Sequence, residues 1–422
     1  MTPVVLSPFA NQLLKVLIFL FIPVSILVPH GVVWEIIIGG LIGLYYSRKQ
    51  ILEELPYPLV VTLFLIPLWA IVTTLWAKYP IVSLIMSLKI LVLVLLGIFW
   101  CRLCLSLPQS TRQSLIRALL GGLFLGLFFL LIEYWSGQAW RYYLNKPSAK
   151  AYAQGSLLIS LVVWPAILWA LRLPYTFLWR FSLSGFLLII VFWTLFQIDC
   201  DTSYIGLFMG LCAFVGTLLF PRLSSWGMRL FVPLFIVAFP FISLYAFKPE
   251  YVPAYNSYIH SSAYLDRLYI WNEVATSSLE HPIGGIGMDG THSHDKASLF
   301  RDWTYVDESG KKWENHTPLI AMHPHNAILQ LWLELGLPGV ILGTLLAYLS
   351  LFYIYRTGLS SLEKAVSAGL FTGTFLVVWV NLGFWQNWWI SGLWIIIGLT
   401  ISMFNGKKEA NEGIYSQLTE SK

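Results

Sequence analysis

Apolar runs, each about long enough to cross a bilayer, recur from near the N-terminus almost to the C-terminus, and most are separated only by short polar turns. A helix needs roughly 20 such residues, or somewhat fewer, to cross the hydrocarbon core. The pattern predicts spans at 13–28, 32–46, 58–76, 81–99, 116–135, 155–171, 182–196, 203–220, 230–247, 337–355, 365–381 and 388–404. The runs are continuous, without the in/out alternation of a barrel strand, so each span must be a helix that satisfies its own backbone groups. The expected fold is therefore all-α, a polytopic transmembrane helical bundle of about 12 spans. The first run lacks a strongly basic leader and a small-x-small cleavage site, and reads as a retained span.

One stretch breaks the pattern. Residues 248–325 hold ten of the 21 acidic residues and seven of the eight histidines: His260, His281, His292, His294, His316, His323 and His325. Within it, 263–278 reads as an amphipathic helix whose wheel groups Tyr264, Ile270, Trp271 and Val274, with Arg267 in the middle of the same arc. Residues 282–290 carry four glycines and read as a turn, and 291–318 is assigned no regular structure. Asn326 is a plausible N-cap for a helix over 327–335, closed by Gly336 with Pro338 just beyond.

Charge adds orientation. Only 11% of residues are charged against 57% apolar, and the net charge of +5 is scattered through short loops, with no block suited to nucleic acid. One set of connections holds Arg48, Lys49, Arg102, Arg112, Arg117, Arg172, Arg180, Arg222, Arg229, Arg356 and Lys364, whereas the opposite set holds only Lys78, Arg141, Lys146 and Lys150. The positive-inside rule puts the first set, both termini, and Lys407 and Lys408 in the cytoplasm. The chain then divides into spans one to nine (1–247), a large outward loop (248–325), a short helix with spans ten to twelve (326–404), and a polar cytoplasmic tail (405–422).

The loop concentrates the candidate chemistry. His325 would sit at the positive start of a helix beside the membrane surface, where proton affinity is lowered and an anion can be held. A neutral imidazole there suits proton abstraction from a hydroxyl, although a lone histidine can equally cap a helix. The pairs His292/His294 and His323/His325 raise a zinc site as a rival, but no cysteine accompanies them and the spacing matches no common zinc pattern. Cys101, Cys104, Cys200 and Cys212 lie in or beside apolar runs and read as packing residues. Arg267 on an apolar face needs a carboxylate, an aromatic ring or an external anion, and Trp271 one turn along is placed for a cation–π contact. If its partner is a ligand, its planar fork suits phosphate oxygens. Arg141, Lys146 and Lys150, set among Trp140, Tyr142, Tyr143 and Tyr152, suit either headgroup anchoring or a lipid phosphate. Glu35, Lys89 and Glu133, in or beside spans, are the residues a transporter or flippase would use, yet they form no obvious relay.

The run His323-Pro324-His325-Asn326, followed by a short helix ending Glu334-Leu335-Gly336, resembles the signature of the O-antigen ligase and polymerase superfamily. Arg267 to Trp271 and Pro282-Ile283-Gly284-Gly285-Ile286-Gly287 look like its upstream Arg-x-x-x-Trp and Pro-x-x-Gly-x-Gly elements. The resemblance is good over 182–381 and rests on topology alone before that. It implies a metal-independent, inverting glycosyltransferase of the bacterial inner membrane, with no cofactor. Such an enzyme moves a preassembled glycan from undecaprenyl diphosphate to a hydroxyl, with lipid A-core as the leading acceptor. His325 becomes the catalytic base and Arg267 the diphosphate-binding residue, with Trp271, His323, Asn326 and Glu334 around the substrates. A polymerase on the same lipid carrier shares the signature. One departure stands out: many members begin the eighth span with a Ser-Arg pair, where this chain has Ser203-Tyr204, leaving Lys146 or Lys150 to supply the second cation.

Overall fold

The computed structural model describes residues 4–47, 55–137, 139, 143, 150–198, 200–356, 358–381 and 383–404. Among them are twelve long helices at the positions of the twelve apolar runs: α1 (Pro8–Leu27), α2 (Val32–Ser47), α3 (Tyr57–Thr73), α4 (Pro80–Ser106), α5 (Gln109–Trp135), α6 (Lys150–Leu171), α7 (Phe177–Gln197), α8 (Asp201–Leu219) and α9 (Pro221–Ala246), then α12 (Ala327–Ile354), α13 (Ser361–Val380) and α14 (Asn387–Ser402). Nine are long and apolar enough to cross a membrane, and α3 and α14 are shorter apolar helices. Two further helices, α10 (Val252–Tyr255) and α11 (Ser262–Glu280), lie in the polar segment.

With lipid on the outside, apolar surface alone does not hold such helices together, and close approach of small residues does. Gly206 and Gly210 on α8 face Gly369 and Gly373 on α13, and a Cβ at Gly210 would lie 2.8 Å from the Gly369 carbonyl oxygen. α6 is the most enclosed helix, with 89% of its apolar window buried, and Trp164 fills the space beside this seam. Glu35 is buried in α2 with neither carboxylate oxygen hydrogen-bonded among the described residues, whereas Glu133, also buried, has interaction partners.

The stretch 291–318 is not irregular, contrary to the sequence-based expectation. It contains an antiparallel hairpin, β1 (Phe300–Val306) with β2 (Lys312–Pro318), in which Trp303 pairs with Asn315 and Arg301 with Thr317. Alternate side chains turn toward α11: the Trp303 ring packs 5.2 Å from that of Tyr269, and the Arg301 guanidinium lies over the Tyr269 ring at the same distance. Asp266 of α11 accepts from Asn315 at 3.0 Å and from Thr317, and Lys296 pairs with Glu273 and Glu280 of α11, each at 3.0 Å. Two-residue alternation is present in this sequence, but charged residues occupy the outer face and dilute the apolar signal.

Candidate active site

The site is built on α11 and the start of α12. Asn326 caps α12 as expected, its Oδ1 accepting from the Leu329 amide at 3.0 Å. His325 just before it adopts φ +51°, a left-handed conformation that side-chain-bearing residues rarely hold. Such strain costs of order 1–3 kcal/mol and clusters at functional positions. His325 Nδ1 lies 2.9 Å from the carbonyl oxygen of Asn381, at the end of α13. A carbonyl can only accept, so Nδ1 carries the hydrogen and the neutral ring keeps its lone pair on Nε2. The His323 ring packs 4.4 Å from that of His325, and His323 abuts Gly383.

Trp271 of α11 reaches this segment directly, its indole N–H donating to the Pro324 carbonyl at 2.9 Å. It does not form the expected cation–π contact with Arg267. Its ring is instead enclosed by Phe239, Phe247 and Trp379, and the ring under Arg267 is that of Tyr264, 5.4 Å from the guanidinium carbon. The reason is helical geometry: residues three and four apart flank Arg267 on both sides, and the indole N–H is drawn to the buried Pro324 carbonyl.

Arg267 is half-buried, and burial works to lower its proton affinity against the fields of Tyr264 and Asp201. Among the described residues no carboxylate comes within ion-pair distance and no protein acceptor bonds its five N–H donors. Nearby, at the start of α8, Asp201 accepts from Tyr204 at 2.9 Å and from Tyr264 on its other oxygen. Tyr204, where the resemblance led to the expectation of a second arginine, is therefore part of a tyrosine–aspartate cluster. Burial and the Asp201 carboxylate push the Tyr264 phenol above its ordinary range. Asp201 was not legible as part of the site; its only signal was a carboxylate at the head of a span.

Glu334 is fully buried and its carboxylate is used by the protein itself. Its Oε1 accepts from the Thr291 hydroxyl and amide and from Gln330 at 3.0 Å, while its Oε2 accepts from the Asp289 amide at 2.9 Å and from Trp385 at 2.6 Å. Gln330 in turn accepts from the Phe384 amide at 2.7 Å. Around this carboxylate the two glycine motifs meet backbone to backbone. The Ile286 and Gly287 amides donate to the Leu333 and Glu334 carbonyls, and the Leu337 amide donates to that of Pro282. Gly336 (φ +59°) and Gly285 (φ +66°) are the contact points: a Cβ at the first would sit 2.3 Å from the Ile283 carbonyl oxygen, and at the second 2.4 Å from that of Glu334. The clasp breaks α12 at Gly336 and points its first turns at the site.

Of the remaining candidates, Arg141 and Lys146 lie outside the described residues, and Lys150 opens α6 with its side chain undescribed. His294 caps a short turn by accepting from the Lys296 amide at 3.2 Å, and His292 faces Asp289 at 3.6 Å. Among the described residues no three His, Cys, Asp or Glu side chains converge as metal ligands would.

The O-antigen ligase family profile matches residues 185–343, which include both motif-bearing segments. A relative from Rickettsia conorii is 30% identical over 336 residues, covering 78% of this chain and 76% of its own. Those from Rickettsia bellii and Rickettsia felis are each 28% identical, covering 78% and 84% of this chain and 76% and 83% of their own. All three are provisionally named polysaccharide ligases. With the His-Asn cap, the clasped glycine motifs and the arginine helix in the arrangement described, the chain belongs to the O-antigen ligase family of membrane glycosyltransferases.

Proposed function

We propose that the protein transfers a preassembled glycan from undecaprenyl diphosphate to a hydroxyl of lipid A-core, at the periplasmic face of the inner membrane, with both termini in the cytoplasm. His325 Nε2 takes the proton of the acceptor hydroxyl as its oxygen bonds to the anomeric carbon. The bond from that carbon to the phosphate oxygen breaks on the opposite face, giving inversion, and its electron pair leaves with the diphosphate. Arg267 receives the charge that builds there, and Asn381 holds the imidazole in the tautomer the step requires. Trp271 joins the two halves of the site through Pro324.

The observation that carries the reading is Arg267: a half-buried guanidinium with no protein acceptor among the described residues, one helical turn from the residue that grips the His325 segment. Purified protein in detergent, given a lipid-linked donor and lipid A-core, should produce the glycan-capped product with and without chelator. His325→Ala should lower the rate at least about a thousandfold. Transfer at the wild-type rate by His325→Ala would reject the assignment.

A further inference from the structure

α7 and α8 follow one another along the chain, and a cavity of about 480 Å³ is lined by residues of both. Ile189, Phe192 and Phe196 of α7 line it, facing Leu207, Phe208 and Leu211 of α8, and every lining side chain is apolar or aromatic. Ile189 is 70% exposed and Phe208 53%, so the cavity opens sideways to the hydrocarbon.

Beside Phe192 and Phe196 it approaches the surroundings of Arg267. The Tyr204 ring packs on those of Phe192 and Phe196, 5.9 and 5.7 Å away. Its hydroxyl bonds Asp201, Asp201 bonds Tyr264, and the Tyr264 ring lies under Arg267. An apolar hollow beside the lipid thus connects, through Tyr204, Asp201 and Tyr264, to a guanidinium that has no protein acceptor among the described residues.

We infer that this cavity seats the isoprene units next to the diphosphate of the glycan donor, an inference that rests on the function proposed above. A chain already in hydrocarbon gains nothing from the hydrophobic effect on entering an apolar hollow, so selection must come from shape and from the charge the chain carries. Methyl-branched isoprene has the shape to fill gaps between aromatic rings, and its diphosphate supplies the anion for Arg267. Seating the tail fixes the head at the catalytic depth, which converts a search across the membrane surface into a local one.

The test uses the full chain in phosphatidylglycerol vesicles with two photoreactive probes: a polyprenyl diphosphate carrying a diazirine near its head, and phosphatidylglycerol carrying one in its acyl chain. The polyprenyl probe should label the 188–211 hairpin, and unlabelled polyprenyl diphosphate should compete it away. Ile189→Trp and Phe208→Trp, both at lipid-facing positions that leave the bundle core untouched, should each cut that labelling roughly tenfold by filling the cavity. Equal labelling of the same residues by the phospholipid probe, or adducts spread over other helices, overturns the inference. His325→Ala should label like wild type while failing to transfer. If that variant transfers normally, the active-site reading falls while the labelling result stands.

Discussion

His325 combines two demands that conflict at a single residue. Its backbone is held in a left-handed conformation, and its ring is held by the Asn381 carbonyl, so the fold accepts strain to aim one nitrogen. His325→Gly should therefore be more stable than His325→Ala by about 1 kcal/mol, because glycine adopts positive φ without penalty. Both should be silent in transfer, and thermal unfolding in detergent reads the difference. An equal or lower midpoint for the glycine variant would mean that the φ angle stores no strain. At Gly285 and Gly336 the same logic runs in reverse, since the left-handed backbone is combined with carbonyl oxygens at 2.4 and 2.3 Å from any added Cβ. Alanine at either should destabilise by about 3 kcal/mol or more, well beyond the ordinary glycine-to-alanine effect. The sequence motif marked these glycines; that they press against each other's strand of backbone was invisible, because the partner lies some fifty residues away.

At the level of elements, the bundle was legible because lipid makes long apolar helices obligatory, and the helix over 327–335 was legible because its cap and its glycine stop are local signals. The hairpin was not. Its pairing depends on a non-local fit to α11, and its outer face carries Asp302, Glu314, Lys312 and His316. Its turn offers a pH test. Asp307 accepts from Ser309 and Trp313 side chains and from the Ser309 and Lys311 amides, which depress its pKa from 3.8 to about 2. A depressed carboxylate stabilises above its unfolded pKa, so the turn should be intact above about pH 4 and lose that contribution as pH falls through about 2. Trp313 fluorescence should report this change, and Asp307→Asn should remove the titration; an unchanged profile in the variant would assign it elsewhere. The contact between α11 and α12 makes a separate claim. Trp271→Phe keeps the packing with Phe239, Phe247 and Trp379 but loses the bond to Pro324, worth about 1 kcal/mol. The expected result is reduced kcat with nearly unchanged melting, whereas a large fall in melting temperature with normal kcat would make the bond purely structural.

Taken whole, the molecule gathers its polar chemistry at one end of an apolar bundle. The turn before α8, the whole of α11, the hairpin and the start of α12 share that end, tied together by Asp201–Tyr264 and Trp271–Pro324 contacts. Which side of the membrane this end faces rests on the Lys/Arg asymmetry of the short loops, a signal independent of any contact in the bundle. The prediction is a labelling pattern. In a Cys212→Ser background the remaining cysteines, Cys101, Cys104 and Cys200, are buried and should stay silent toward a membrane-impermeant maleimide. Ser309→Cys, at the hairpin turn, should react in cells with a permeabilised outer membrane, and Leu223→Cys, in the first turn of α9 at the opposite end, should react only after lysis. The reverse pattern would put His325 and Arg267 in the cytoplasm, where a periplasmic transfer to lipid A-core could not take place. Such a result would leave the bundle and its clasped motifs as described while removing the acceptor from reach.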